Sequence, residues 1–503
     1  MSEANGSPGQ DRMETLLRQL TRGNALFFIL ILGIGGSFQN GFHIVGVSSP
    51  SPFIQSFINS TWYERYGELP PPQTVTLIWS AIVSTYAIGG LLGALSAKFL
   101  TGMLGRKRAM LGNNFISIVA AAVMLTSKAA SSFECIILAR FVFGLSAGLG
   151  VCIQSIYLAE SSPQKIRGMV TLTTATFTSI GKLSGQFFGL SEILGREEHW
   201  NILLSVPACL SVVQLLVLPF FPEAPRYLLI EKGDAEACRK ALQSLWGQGE
   251  YKQEMEGMAA EQSVVKGVRP KSLLELLRDR SVRWQLISMA VIYGCTQFSA
   301  SPTISVFSFD IFLKAGIPRE KIRYVTLGIG ATEVLSSISC GLMIEHTGRR
   351  PLLWGGFGAM SAIQVFLTIT LNLKDSSYWV PYITVVLIIL LIISYVGGPV
   401  GVATSLSTEL FIQSYRPAAV SLMSFQRWLS FSLIGLVFPF LIEALESYCF
   451  VLFASVSLLG FLFTFFILPE TKGKTLVEIS EEFKAITVCG KSFSEDEPVE
   501  TKL

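Results

Sequence analysis

An acid followed seven positions later by a base occurs twice in this chain. Glu160-Ser161-Ser162-Pro163-Gln164-Lys165-Ile166-Arg167 is one copy, and Glu409-Leu410-Phe411-Ile412-Gln413-Ser414-Tyr415-Arg416 is the other. A second motif is also duplicated, as Gly105-Arg106-Lys107 and Gly348-Arg349-Arg350. The chemistry open to such residues is reversible ion pairing. With Arg226, Glu345 and Glu470 from neighbouring polar stretches, the candidate set is Arg106, Glu160, Arg167, Arg226, Glu345, Arg349, Glu409, Arg416 and Glu470. Exposed pairs contribute about 0–1 kcal/mol each, so a cluster biases a two-state equilibrium without locking it. The plainer alternative is that these residues only anchor helix ends. The acids set among bases, which anchoring does not require, favour a gate.

A further three ionisable residues fall inside apolar stretches: Lys182, Glu333 and Arg427. Ionisable groups at such depth cost a few kcal/mol or more unless paired or hydrated, which makes them functional candidates. Lys182 is two helical turns beyond Ala175 and one turn before Gln186, so all three share a stripe. Glu333 pairing with Lys182 or Arg427, purely to hold the bundle together, is the structural alternative.

The elements that must position these residues are membrane helices. Of the 503 residues, 50% are hydrophobic and only 15% charged, with a mean hydropathy of +0.51. A soluble domain carries about a quarter charged residues, and a spanning helix needs roughly 20 mostly apolar ones. Twelve stretches qualify, near 25–47, 76–98, 109–128, 133–155, 171–194, 200–221, 284–308, 322–344, 352–373, 379–407, 417–441 and 447–468. The expected architecture is all-α, with two six-helix bundles at 25–221 and 284–468. A polar linker at 222–283 joins them, with a polar N-terminus at 1–24 and a tail at 469–503. The linker has the spacing of short amphipathic helices, as in Asp234-Ala235-Glu236-Ala237-Cys238-Arg239.

Bases concentrate in the loops holding Arg106, Lys107, Lys165, Arg167, Arg349 and Arg416, which the positive-inside rule places in the cytoplasm with both termini. One loop objects: Lys314, Arg319, Lys321 and Arg323 fall on the external side. The sequon Asn59-Ser60-Thr61 in the first external loop agrees with the majority and marks Asn59 for glycosylation. Trp62, Trp200 and Trp379 are expected at the membrane interface, and His43 in a hydrated position at the outer end of the first span. Gly89, Gly90 and Gly93, with Gly144, Gly148 and Gly150, form small-residue patches for close helix packing. A net charge of +3 with clustered bases implies no nucleic acid. The eight cysteines form no C-x-x-C pair, and no P-loop, H-E-x-x-H or G-x-S-x-G motif is present. No cofactor, metal or catalytic site is expected. The partners implied are the bilayer and a small solute, with oligomeric state left open.

The motifs together resemble the sugar-porter branch of the major facilitator superfamily, the facilitative hexose transporters, along nearly the whole chain. The likeness rests on Gly105-Arg106-Lys107, Glu160 to Gly168, Pro222-Glu223-Ala224-Pro225-Arg226, Glu345-His346-Thr347-Gly348-Arg349-Arg350, Glu409 with Arg416-Pro417, and Pro469-Glu470-Thr471-Lys472-Gly473, all in register. The first span and long first loop resemble the branch that includes the fructose-type and member-eleven carriers. That resemblance implies twelve helices, alternating access, hexose as solute and residence in the plasma membrane, with an organelle membrane also open.

Against that resemblance, the expected solute cavity departs from the usual hexose set. The seventh span reads Thr296-Gln297-Phe298-Ser299-Ala300-Ser301-Pro302, then Val306-Phe307, where the family has paired amides and tyrosines. Ala175 stands where the family has a glutamine, and Thr404 stands where it has a tryptophan. The candidate solute-binding residues are Gln39, Lys182, Gln186, Thr296, Gln297, Phe307, Glu333, Thr404, Arg427 and Trp428. The first span offers Gln39, Asn40 and His43 but no carboxylate, which favours passive uniport over proton coupling. The charged cavity keeps open a non-sugar solute, a urate-like or pteridine-like anion. A sensor that no longer transports is the third reading, and the retained gate motifs weigh against it.

Overall fold

The computed structural model describes residues 17–163, 167–267, 272–411, 415–474, 476–485, 487–488 and 491–492. The architecture is helical. Among the described residues the sheet consists of one two-residue antiparallel pairing in the tail, Thr487–Val488 with Lys491–Ser492. Eight helices are long and apolar enough to cross a membrane. The last of these, Arg416–Phe466, holds two spans joined through a tight turn at Glu446–Tyr448. The remaining three spans are Arg167–Phe188, the pair Arg283–Gln297 and Ala300–Lys314, and Ile322–Thr347. The seventh span is divided into two helices of 15 residues, each too short to cross alone, while the other two carry Lys182, Gln186 and Glu333. A membrane helix tolerates such residues where its polar face is turned away from lipid.

By their contacts the residues divide into two compact units. One comprises Met1–Ile44, Ile88–Gly185 and Glu198–Val268, the other Val45–Ala87, Gln186–Glu197 and Arg269–Leu503. The division differs from the six-plus-six arrangement of spans in one respect. The segments 45–87 and 186–197 of the first half pack into the unit built on the second half.

Inside the first unit, the second and fourth spans touch through backbone. A Cβ on Gly148 would lie 2.3 Å from the Gly90 carbonyl oxygen, and one on Gly93 would lie 2.4 Å from that of Leu145. The small-residue patches are therefore packing seams, as their composition predicts. The linker helix Ala235–Trp246 is N-capped by Asp234, whose carboxylate accepts from the Ala237 N–H at 3.0 Å. Its buried face, Cys238, Ala241, Leu242, Leu245 and Trp246, joins the core around Phe28, Tyr157 and Leu158. The Trp246 indole N–H donates to the Ser161 carbonyl at 2.8 Å, docking the helix on the end of the fourth span.

The structure corrects one of the sequence expectations and adds to another. Trp200 packs against protein, 1% exposed, with the Lys128 ammonium 5.0 Å above its ring. His43 is not hydrated: it is buried, its ring 4.3 Å from that of Phe143, and its carbonyl accepts from Arg140 at 3.0 Å. The long first loop also contains an unpredicted helix, Ser51–Tyr66, closed by Gly67 in the left-handed region at φ +70°. Asn59 is half-buried within it, and Thr61 is buried.

Candidate functional site

The duplicated motifs build the same device twice, once in each unit. In the first, Gly105 adopts φ +81°, a conformation that glycine takes without penalty. The helix Arg106–Ala129 starts immediately after it. Glu223 caps that start, its carboxylate accepting from the Lys107 N–H at 3.0 Å. Capping fits both the unpaired N–H groups and the positive end of the helix dipole. Arg106 then grips Glu160 with two nitrogens, each 2.7 Å from a carboxylate oxygen. The guanidinium also reaches Glu231 at 3.4 Å and lies 4.8 Å over the Tyr227 ring.

The second unit repeats each step. Gly348 has φ +87°, and Glu470 accepts from the N–H groups of Arg349 and Arg350 at 3.1 and 3.2 Å. Arg349 pairs with Glu409 at 3.0 Å, and the Thr471 hydroxyl donates to the other Glu409 oxygen at 2.6 Å. Arg416 donates to the Phe411 carbonyl at 3.2 Å. Arg226 is taken by Glu261 at 2.8 Å. The side chains of Arg167 and Glu345 lie outside the described residues. Glu223, Glu231 and Thr471 were not singled out by sequence, although Glu223 and Thr471 sit within the quoted motifs.

Burial alone would raise the Glu470 carboxyl, but backbone N–H bonds from Arg349, Lys472, Arg350 and Thr471 outweigh it and hold the group below its ordinary value. A carboxyl with a depressed folded pKa contributes stability that is present above its unfolded value. That contribution is lost as pH falls through the folded one. Acidifying below pH 4.5, the ordinary glutamate value, is expected to lower the melting temperature of the parent protein. The change should be shallower in Glu470→Gln. Parallel slopes in a thermal-shift series would refute the cap's contribution.

Three spans are interrupted. The first breaks between Ala25–Gly35 and Ser37–Gly46. The backbone groups this frees are met by side chains: the Ser37 N–H donates to Gln154 at 2.8 Å, and Gln214 donates to the Ile31 carbonyl at 2.8 Å. Irregular backbone at membrane depth requires such partners. The seventh span breaks at Phe298-Ser299 and bends again at Phe307, whose φ/ψ of −112°/25° is non-helical. The tenth loosens into a π-helical turn, Val396–Val400, containing Pro399.

The predicted solute-binding residues fall on several spans, Gln39 and Lys182 in the first unit and the rest in the second. Glu333 is 8% exposed. Tyr395, directly before the π turn, lies within electrostatic range of both Arg427 and Glu333. Sequence reading passed over Tyr395, because a tyrosine in an apolar run carries no distinctive signal. Gln186 is buried, and among the described residues its side-chain oxygen has no hydrogen-bond partner. Ser301 and Thr303, just past the seventh-span break, bury hydroxyls in the same condition. Gln297 is buried, and Lys182 is half-buried on Arg167–Phe188. Gln39 is buried and tied to Ser211 at 2.8 Å and Ser117 at 3.4 Å. Thr296 donates back to the Ile292 carbonyl, and Thr404 to that of Gly401. Phe307 packs on Phe438 with ring centroids 5.0 Å apart, and Trp428 meets Tyr86 edge-on at 6.4 Å. Arg140, 1% exposed in the fourth span, is a further intramembrane base that sequence reading omitted.

Comparison with known proteins agrees with this architecture. Residues 28–483 match the family described as "Sugar (and other) transporter". The chain is 44% identical over 449 residues to the human "Solute carrier family 2, facilitated glucose transporter member 9", covering 89% of this chain and 83% of that one. It is 41% identical over 467 residues to human member 11 of the same series, covering 93% and 94%. Horse member 5 is 42% identical over 454 residues, covering 90% and 91%. Among solved structures, the inward-open conformation of the xylose transporter XylE from E. coli superposes with a TM-score of 0.73 at 16% identity, covering 91% of this chain and 99% of that one. That likeness establishes the major facilitator fold. With the duplicated motifs in register and twelve spans in place, the chain belongs to the sugar transporter family, as a multi-pass integral membrane carrier of the facilitative branch and not an enzyme.

Proposed function

We propose that this protein is a passive uniporter for a hexose, glucose or fructose, working by alternating exposure of a midplane site. The observation that carries the reading is the interruption of the first, seventh and tenth spans beside neutral, buried hydrogen-bonding groups. Discontinuous helices mark the substrate site in such carriers. Gln186, Ser301 and Thr303, with polar atoms unspent on protein, suit a polyhydroxyl solute. The names of the relatives support hexose as the cargo. The broken segment Ser37–Gly46 holds no carboxylate, which supports uniport over proton coupling.

The two motif devices act as a gate at the cytoplasmic ends of bundles 25–221 and 284–468, with both termini and the 222–283 linker on that side. Breaking and remaking their ion pairs biases the exposure of the site. Lys182, Glu333, Arg427 and Tyr395 set selectivity, and Gln39 supports the first-span break. The protein resides in the plasma membrane and carries a glycan at Asn59. Counterflow in proteoliposomes tests the reading, with labelled glucose and fructose beside urate and a pterin. Exchange of a hexose at the unlabelled-hexose gradient is the expected result. Exchange of urate or pterin alone would replace hexose with an anionic heterocycle as the cargo. Net flux driven by an imposed pH gradient would overturn uniport.

A further inference from the structure

Of the four bases that break the positive-inside pattern, Arg323 and Arg319 belong to a second polar assembly, wholly inside the second unit, while Lys314 and Lys321 reach the Ile442 carbonyl and the Tyr382 hydroxyl instead. Arg323 opens the helix Ile322–Thr347, and Gly348 follows its other end. At 1.5 Å per residue, a 26-residue helix separates the two by about 39 Å. Arg323 therefore sits on the opposite membrane face from the Arg349–Glu409 pair. Its Nε donates to the Ser49 hydroxyl at 3.0 Å, one terminal nitrogen to the Ser49 carbonyl at 3.1 Å, and the other to the Ser191 hydroxyl at 3.4 Å. Its guanidinium carbon stands 5.0 Å from the Phe309 ring centroid and 5.4 Å from that of Phe53.

Neighbouring contacts join the same three stretches. Tyr324 donates its hydroxyl to Glu192, a contact that holds the exposed Glu192 carboxyl below its usual value. Ser48 shares a hydrogen bond with Ser308 at 2.7 Å and accepts from the Phe309 N–H at 3.1 Å, two residues past the Phe307 bend. Ser51 donates to both oxygens of Asp310, at 3.3 and 3.4 Å. Arg319 approaches Phe309 from 6.0 Å. Segments 48–53, 189–192 and 308–324 are thus held by one arginine and a ring of short polar side chains, distal to the seventh-span break.

We propose that Arg323 is the outer latch of the transport cycle, a positioning residue that holds the external mouth shut over the solute site. The planar fork, spread over Ser49 and Ser191 between two aromatic rings, is a demand that lysine cannot meet. Weak, separable hydrogen bonds suit a closure that must open once per turnover. This inference rests on the transport reading above, and its test is separable from the identity of the solute.

The experiment is labelling of a single introduced cysteine, Ser301→Cys, by a membrane-impermeant maleimide applied outside sealed cells, above the labelling of the parent chain. Ser301 is fully buried, beneath the latch. Arg323→Gln and Arg323→Lys are each expected to speed labelling at least fivefold, with the melting temperature within a few degrees of the parent. Tyr324→Phe and Ser49→Ala should give smaller increases in the same direction, and they serve if the arginine variants fail to fold. Unchanged labelling, or a fall in melting temperature without faster labelling, would reduce Arg323 to a loop staple and overturn the proposal. Because the labelling needs no solute, a failed hexose counterflow leaves this result standing on its own.

Discussion

Leucine at Gly148 is expected to leave almost no folded carrier. The Cβ alone would sit 2.3 Å from the Gly90 carbonyl oxygen and 3.0 Å from the Gly90 Cα, both backbone atoms. Overpacking among side chains costs about 1–3 kcal/mol because rotamers adjust. Two helix backbones in contact have no such freedom, so the spans must part. The neighbouring contacts of Gly89 with Phe141 and Gly93 with Leu145 would be lost together, because all three lie along one seam. Against a total stability of about 5–15 kcal/mol, that loss is decisive. The measurement is recovery of a monodisperse peak by fluorescence size-exclusion chromatography. Gly112→Ala is the control, since a Cβ there meets nothing within 4 Å. Equal recovery of Gly148→Leu and Gly112→Ala would mean that the second and fourth spans do not depend on this seam.

Removing the carboxylate of Glu160 is the second large effect. Arg106 and Glu160 retain only 10% and 17% side-chain exposure, so Glu160→Ala strands a largely buried guanidinium. Breaking a fully buried pair costs about 3–5 kcal/mol. Partial exposure and the remaining Glu231 contact, 3.4 Å away, reduce this to about 1–3 kcal/mol. Transport is expected to fall by tenfold or more, as the end of the fourth span loses its tether to the third. A double-mutant cycle with Arg106→Leu separates the pair from its surroundings. The double variant should be less impaired than Glu160→Ala alone. Strict additivity would show that the two residues work independently, and the gate assignment would fail for this unit.

Much of the fold is readable from composition, because a bilayer permits only helices whose backbone groups are satisfied internally. The two ion-pair clusters were readable for a different reason. Their residues sit in short repeated motifs, so Arg106 with Glu160 and Arg349 with Glu409 announce themselves twice. What escaped were contacts with no local signature. Gln154 and Gln214 mend the first-span break from 117 and 183 residues away, and an amide inside an apolar run does not reveal its partner. Glu223 lay in a quoted motif, yet its capping of Lys107 spans 116 residues. The helix Ser51–Tyr66 was missed because its Pro, Ser, Asn and Trp content reads as loop. Of the solute-binding candidates, Gln186 and Glu333 are buried. Thr296 and Thr404 turn their hydroxyls back on their own helices, which periodicity alone does not reveal.

The segment 45–87 emerges early from the ribosome, yet its partners come last. Ser48 waits 260 residues for Ser308, Ser49 waits 274 for Arg323, and Thr76 waits 367 for Glu443. Domains of nascent chains generally fold as units, beginning from the N-terminus. Here that order is broken by design, because the first unit is interrupted at Ile44 and resumes at Ile88. During synthesis these outer polar side chains of the first half therefore lack these partners until residues 308–443 have been made. Every residue of the first unit has been made once Val268 is, so the outer contacts of segment 45–87 belong to a later stage of biogenesis than the unit whose sequence it interrupts.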